Sequence, residues 1–266
     1  MKNKKETFYT ILFKESTNGE LTSENDFAED YVYLLEILVK SLQFFSTRKI
    51  IIFTDIELPF DFPNMEVVEI KIKKDLPLSN RFRQLNDLSD DLSVSYNYHK
   101  MEKSLQLLKE GYEKVVWIDS DIIATKYIDD IWEKDIENLN HPLTKRHVYQ
   151  YIISHQNGKT YSDVPWMDGK RLSGDLMEYL EVKKATLWYS SFSFFLSHKD
   201  CIPFWEEVLD SYRNCLNDNI FMPYDHETFL NVMLWKYNAS VSISEDLSCI
   251  DFDPNLDCPF DFNDLF

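Results

Sequence analysis

Val115-Val116-Trp117-Ile118-Asp119-Ser120-Asp121-Ile122-Ile123 is an apolar strand that runs into two carboxylates and then resumes as apolar. An isolated carboxylate in a dry interior is very costly, so two of them one residue apart want a counter-charge. Residues i and i+2 of an extended chain point to the same side, which predicts that Asp119 and Asp121 reach one cation. A hard divalent ion such as Mg²⁺ or Mn²⁺ prefers oxygen ligands. It takes one or two carboxylates and fills the rest of its shell with substrate phosphates. The bland alternative is a solvated strand end or a cap for the next element.

Working outward, the stretch from Tyr98 to Glu110 carries Met101, Leu105 and Leu108 on one face and stops at Gly111, which predicts a helix leading into the aspartate strand. Upstream, Phe8 to Phe13 reads as a first strand. Tyr31, Leu34, Leu35, Leu38, Leu42 and Phe45 are spaced for one face of a helix. Lys49 to Asp55 reads as a second, buried strand and Met65 to Ile72 as a third. Strand, helix, strand at this spacing is a βαβ unit and implies a parallel sheet. Ligands in such sheets collect beyond the carboxyl ends of the strands, where the two aspartates sit. Downstream, Trp188 to Ser197 reads as a strand, and Ile202, Trp205, Leu209 and Tyr212 mark a helix. Asp225 to Tyr237 reads as a further helix and Val241 to Ile243 as a short final strand. Residues from about 135 to 185 are more polar and carry no clear period, and the tail from Asp251 to Phe266 is acidic and aromatic.

The chain of 266 residues is 44% hydrophobic and 15% aromatic, enough for the core of one large α/β domain or of two small ones. A net charge of -18 argues against a nucleic-acid partner, which needs basic patches, and against docking on anionic membranes. It leaves room for a nucleotide, which needs only a few local cations and a metal. Cys201, Cys215, Cys249 and Cys258 form no C-x-x-C pair and read as free thiols in a reducing compartment. The apolar stretch from Phe8 to Phe13 is too short for a signal segment or a membrane span. The expected location is cytoplasm, of a cell or of an infected host.

The run Tyr98-His99-Lys100-Met101, the short helix after it, and Gly111 through Ile122 resemble the nucleotide-sugar glycosyltransferases of the GT-A fold. The resemblance is strongest to the glycogenin/galactosyltransferase-like group. In that family a helix bearing a basic residue leads into an apolar strand closed by D-x-D, and the aspartates hold a divalent metal on the nucleotide diphosphate. More weakly, Trp188 to Phe195 is similar to the family's strand of small polar residues against the donor sugar, and Tyr224 to Asn231 to the acidic helix start after it. The order of elements matches over roughly 8–250, and the specific match is confined to 98–132. One feature departs from the pattern. The family places a third metal ligand, a histidine, near the C-terminus, and here no histidine follows His226. Asp251, Asp253 or water stands as its substitute.

The resemblance implies one α/β, GT-A-like domain with a Rossmann-like, mostly parallel central sheet flanked by helices. Its nucleotide-binding part would span about 1–125 and its acceptor part about 126–266. Asp119 and Asp121 are the expected metal ligands, for Mn²⁺ or Mg²⁺. Lys100, with Lys103 as the neighbouring candidate, is expected on the donor phosphates or sugar, against the plain reading of an exposed helix lysine. Thr10, at the end of the first strand, would meet the nucleobase and ribose, and Ser190 and Ser191 the donor sugar. Asp225 and Glu227 are candidates to deprotonate the acceptor hydroxyl or flank the anomeric carbon. After Pro223, however, Asp225 is a natural N-cap and Glu227 complements the helix dipole. The expected activity is metal-dependent transfer of a sugar from a nucleotide diphosphate donor, a UDP-sugar by analogy, to a glycan, protein or small-molecule hydroxyl. The alternatives are a weak or inactive nucleotide-sugar-binding protein and a transferase acting on a modified nucleic-acid base.

Overall fold

The computed structural model describes residues 6–13, 26–71, 73, 75–77, 91–134, 136, 139–146, 174–183, 190–220, 222, 226–239 and 249–251. Strand β1 (Glu6–Leu12) is followed by helix α1 (Asp26–Phe45) and strands β2 (Lys49–Thr54) and β3 (Met65–Glu69). Helix α2 (Asp91–Lys109) leads into β4 (Lys114–Ile118) and the short β5 (Ile122–Ala124). Next come β6 (Leu143–Arg146), helix α3 (Gly174–Tyr179) and β7 (Ser190–His198). Helices α4 (Ile202–Asn217) and α5 (His226–Lys236) and strand β8 (Cys249–Asp251) complete the described chain.

Six strands form one sheet in the order β3-β2-β1-β4-β7-β6. The four from β3 to β4 are parallel, and β7 runs antiparallel to both β4 and β6. The cause is the side-chain alternation. Phe8 and Leu12 of β1 pack with Ile50, Ile52, Val116 and Ile118 on one face, against Leu35, Leu38, Val39 and Leu42 of α1. Tyr9 and Ile11 pack with Ile51, Phe53, Val115 and Trp117 on the other, beneath α2, α4 and α5. Strands buried on both faces and linked by crossover helices are the signature of a parallel α/β sheet. The expected α/β class, with its mostly parallel, helix-flanked sheet, is what the chain adopts. Strand order reverses between β1 and β4, so the carboxyl ends of these two strands lie at the topological switch point, the place where ligands of such sheets collect.

Several expected elements differ in extent. The aspartate strand is not continuous. β4 ends at Ile118, residues 120–121 turn, and β5 pairs with β8 in a separate two-stranded sheet. Asp119 and Asp121 therefore sit on a turn and not on one extended face. The third strand stops at Glu69, short of the expected Ile72. The expected strand at 241–243 lies outside the described residues, and the last strand observed is β8. Strand β6 falls in the stretch that carries no readable period. Among the described residues no helix is long and apolar enough to cross a membrane.

Strand β7 carries a defect in its pairing. Its ladder with β6 is irregular between Thr144 and Arg146, and Phe192 has a φ of 54°. An aromatic residue in the left-handed region is uncommon and strained. Strict alternation would send Phe192 to the α1 side with Phe194. Instead it packs on Phe195 on the opposite face, ring centroids 5.9 Å apart.

Candidate functional site

Asp119 is held where β4 ends. Its backbone N–H donates to Ser193 O of β7 at 2.9 Å, so the irregular stretch of β7 lies directly opposite it. Its Oδ1 accepts two charge-assisted bonds, from Trp117 Nε1 at 2.9 Å and from Lys100 Nζ at 3.2 Å. Trp117 precedes Asp119 by two residues and shares its side of the strand, which brings the indole N–H to the carboxylate.

Lys100 is 2% exposed. It sits on α2, and its ammonium lies 4.7 Å from the centroid of the Trp117 ring. Tyr9 of β1 fixes this turn of the helix. Its hydroxyl donates to Lys100 O at 3.0 Å and lies 2.6 Å from Ser104 Oγ. Burial pushes the Lys100 ammonium below the ordinary lysine range, and the charges of Asp119, Glu227 and Asp121 pull it back. The charges that act on it place Glu227, at the start of α5, and Asp121, on the turn after β4, in the electrostatic neighbourhood of this ammonium.

Tyrosines line the carboxylates. Tyr96, one turn before Lys100, is buried against Trp117 within the field of Asp119. Burial first, then the charges of Asp119 and Asp121, holds its hydroxyl well above the ordinary range. Tyr31 of α1 is raised by burial and by Asp121 and Asp119. Each carboxylate disfavours a phenolate beside it, so these hydroxyls stay protonated and able to donate. The rings pack as a set around Trp117, with Tyr9 at 5.2 Å and Tyr96 at 6.1 Å, both edge-on, and Phe195 stacked at 6.3 Å.

Helix α5 is tied to the site through Asn231. This fully buried amide accepts from Ser190 N and donates to Ser190 O, each at 2.8 Å, and donates to Glu227 O at 2.8 Å. Ser190 Oγ in turn accepts from Phe192 N at 3.2 Å, inside the strained bend. The start of β7 and the start of α5 are thus one unit, next to Lys100.

The structure brings together Asp119, Asp121, Lys100 and Glu227, with Ser190 joined to them through Asn231. Thr10 lies at the carboxyl end of β1, one residue past the last β1–β4 pair, Tyr9 with Trp117. Its Oγ1 is buried and finds no hydrogen-bond partner among the described residues. Lys103 is placed elsewhere. Its Nζ lies over Phe53 at 5.1 Å and donates to Gln106 Oε1 at 2.7 Å, beside Glu102 and within the cluster of His99 and Lys73. Asp225, Asp253 and the side chain of Ser191 lie outside the described residues. Asp251 is placed by its backbone, opposite Ile122 and so next to Asp121.

Tyr31, Tyr96 and Asn231 were not foreseen as site residues. The signal for Asn231 was present: it is the polar member of an otherwise apolar run, Phe229 to Trp235, four residues after Glu227. The tyrosines offered no signal, because residues at helical spacing read as packing.

Among the described residues no group of three or more His, Cys, Asp or Glu side chains is placed to hold a metal ion. What the site offers is the Asp119 carboxylate in contact with the Lys100 ammonium, with the negative charges of Glu227 and Asp121 acting on the same ammonium. That excess of hard oxygen charge fits a Mg²⁺ or Mn²⁺ ion held by one or two carboxylates and completed by substrate phosphates. No protein-family model matches the chain, and no curated protein matches it.

Proposed function

We propose that the protein is a metal-dependent glycosyltransferase that moves a sugar from a nucleotide diphosphate donor, a UDP-sugar by resemblance, to an acceptor hydroxyl. The observation that carries this reading is the buried Lys100 ammonium paired with Asp119 at 3.2 Å where β4 ends, beside the β1/β4 switch point and within the charge of Asp121 and Glu227. When bound, Mn²⁺ or Mg²⁺ would offset the negative charge that builds on the departing diphosphate. Asp119 and Asp121 are the residues that would hold it.

Lys100 supplies a desolvated ammonium for phosphate oxygens, and burial makes that charge stronger than it would be in water. Glu227 has the position for a carboxylate that accepts the proton of the acceptor hydroxyl or faces the sugar centre as it becomes oxocarbenium-like. Trp117 fixes the Asp119 carboxylate by donating to it. Thr10 Oγ1 is a buried hydroxyl in need of a partner at the strand end where a nucleoside would lie. The acceptor is a glycan, protein or small molecule. The acidic balance disfavours a nucleic acid. A cytoplasmic location accords with Cys201 and Cys215 as buried free thiols.

The test is a panel of nucleotide sugars with Mn²⁺ or Mg²⁺, read by thermal shift and by release of free nucleotide. A true donor should raise the melting temperature by binding linkage, and chelator should abolish both signals. Donor affinity that is equal with and without metal, measured by calorimetry, defeats the reading.

A further inference from the structure

We propose that Lys100 is a built-in competitor for the divalent cation at Asp119, so that the site binds metal tightly only together with a diphosphate. This rests on the metal-dependent donor site proposed above. The ammonium lies 3.2 Å from Asp119 Oδ1, on the very oxygen that also takes the Trp117 N–H. A divalent cation approaching that carboxylate meets a positive charge already in contact with it. The ammonium cannot simply retreat to water. Its residue is 2% exposed, its head lies over the Trp117 ring, and its own carbonyl is held by the Tyr9 hydroxyl.

Withdrawing the Lys100 charge from Asp119 would therefore leave it short of a counter-ion inside the protein, which is strongly unfavourable. The charges of Glu227 and Asp121 act on the ammonium more weakly than Asp119 does and relieve only part of that deficit. A diphosphate relieves the rest. Its oxygens offer the ammonium a new anion at the same moment that they complete the shell of the cation. Metal and diphosphate then favour each other, and by thermodynamic reciprocity the coupling is the same in both directions. A free cation has no such helper and must compete with Lys100 for Asp119. The arrangement gives Lys100 two tasks with one charge: it neutralises Asp119 before the donor arrives and neutralises the donor afterwards.

The test uses Mn²⁺ alone and Mn²⁺ with UDP, on wild type, Lys100→Met and Lys100→Arg, read by calorimetry and by melting temperature. Lys100→Met should bind Mn²⁺ alone about tenfold more tightly than wild type, within the usual range of coupling between sites. Its melting temperature should rise more on adding Mn²⁺ than that of wild type, because the cation now supplies the missing counter-charge. Lys100→Arg keeps the charge and should stay near wild type. UDP should tighten Mn²⁺ binding less in Lys100→Met than in wild type. Should Lys100→Met fail to fold in chelator, recovery on adding Mn²⁺ supports the proposal and failure to recover overturns it. Mn²⁺ affinity in folded Lys100→Met equal to or weaker than wild type also overturns it. A wild type that binds neither UDP nor Mn²⁺ with UDP removes the donor-site reading as a whole. Mn²⁺–UDP binding in wild type with no gain in Lys100→Met removes only the role given to Lys100.

Discussion

Asn231 pairs with Ser190 as a neighbouring strand would: its Oδ1 accepts the Ser190 N–H and its Nδ2 donates to the Ser190 carbonyl, both at 2.8 Å. The side chain of a helix thereby takes the place of a β-ladder at the first residue of β7. The same Nδ2 donates to Glu227 O, so the helix turn that carries Glu227 is set by the strand.

Replacing this amide should be expensive. Asn231→Leu removes the two bonds that the amide makes to the Ser190 backbone in a dry interior, and should cost about 2–6 kcal/mol, at about 1–3 for each bond lost there. Asn231→Asp should be at least as costly, since a carboxylate then faces the carbonyls of Ser190 and Glu227. Urea denaturation measures both. A loss below about 1 kcal/mol in Asn231→Leu would show that α5 and β7 hold their places by apolar packing alone.

Asp119 and Asp121 should separate on stability. Asp119→Asn strips the buried Lys100 of its main counter-charge and should destabilise by about 1–3 kcal/mol, less than for a fully buried pair because Asp119 is 24% exposed. Asp121→Asn relieves crowding among carboxylates and should leave the melting temperature level or slightly higher. Both should lose metal-dependent donor binding. Equal melting temperatures for the two variants would contradict the electrostatic picture of the site.

Glu102 should give the stability a measurable acid limb. Burial pushes its carboxyl up, but the His99 hydrogen bond and the charges of Lys73 and Lys103 prevail and bring it down from 4.5 to about 2. A depressed folded-state value contributes stability that is present above the unfolded value. It is lost as pH falls through the folded value, so the window runs from about pH 4.5 down to about pH 2. Wild type should exceed Glu102→Gln by up to about 3 kcal/mol at neutral pH, and the gap should close across that window. A gap that is constant with pH would mean that Glu102 contributes by packing and not by charge.

Glu227→Gln tests chemistry against capping. If the carboxylate serves the reaction, kcat falls while donor affinity and melting temperature hold, because its work is confined to the transition state. Asp225→Asn is the companion, since Asn caps a helix as well as Asp does and a capping role would leave it nearly silent. Normal turnover in both variants would leave the metal and donor groups as the whole of the site.

The parallel sheet was legible because its strands are apolar runs between helical periods: Lys49 to Asp55 and Val115 to Ile118 could hardly be anything else. Asp119 and Lys100 stood out in the sequence, a carboxylate closing a buried strand and a lysine on the helix before it, and the structure pairs them. Lys103 could not be told from Lys100 by sequence, because the two are three residues apart on one helix. Only the packing decides that Lys100 points to Trp117 and Lys103 to Phe53. The turn between Asp119 and Asp121 was hidden, since apolar Ile122 and Ile123 continue the strand pattern across it. The left-handed Phe192 was hidden too. Nothing in Ser190-Ser191-Phe192-Ser193 asks for that conformation, and it is imposed by Ser190 Oγ and by the need to seat the ring on Phe195.

The small β5–β8 sheet has a consequence for how the molecule comes into being. Ile122 and Asp251 pair across it, although they come from opposite halves of the chain. During synthesis the N-terminal half leaves the ribosome first, so the βαβ units of the large sheet can assemble while β5 still waits for its partner. The backbone beside Asp121 is therefore braced only after β8 has emerged. Until then the nascent protein carries a folded scaffold whose carboxylate turn lacks the pairing of β5 with β8.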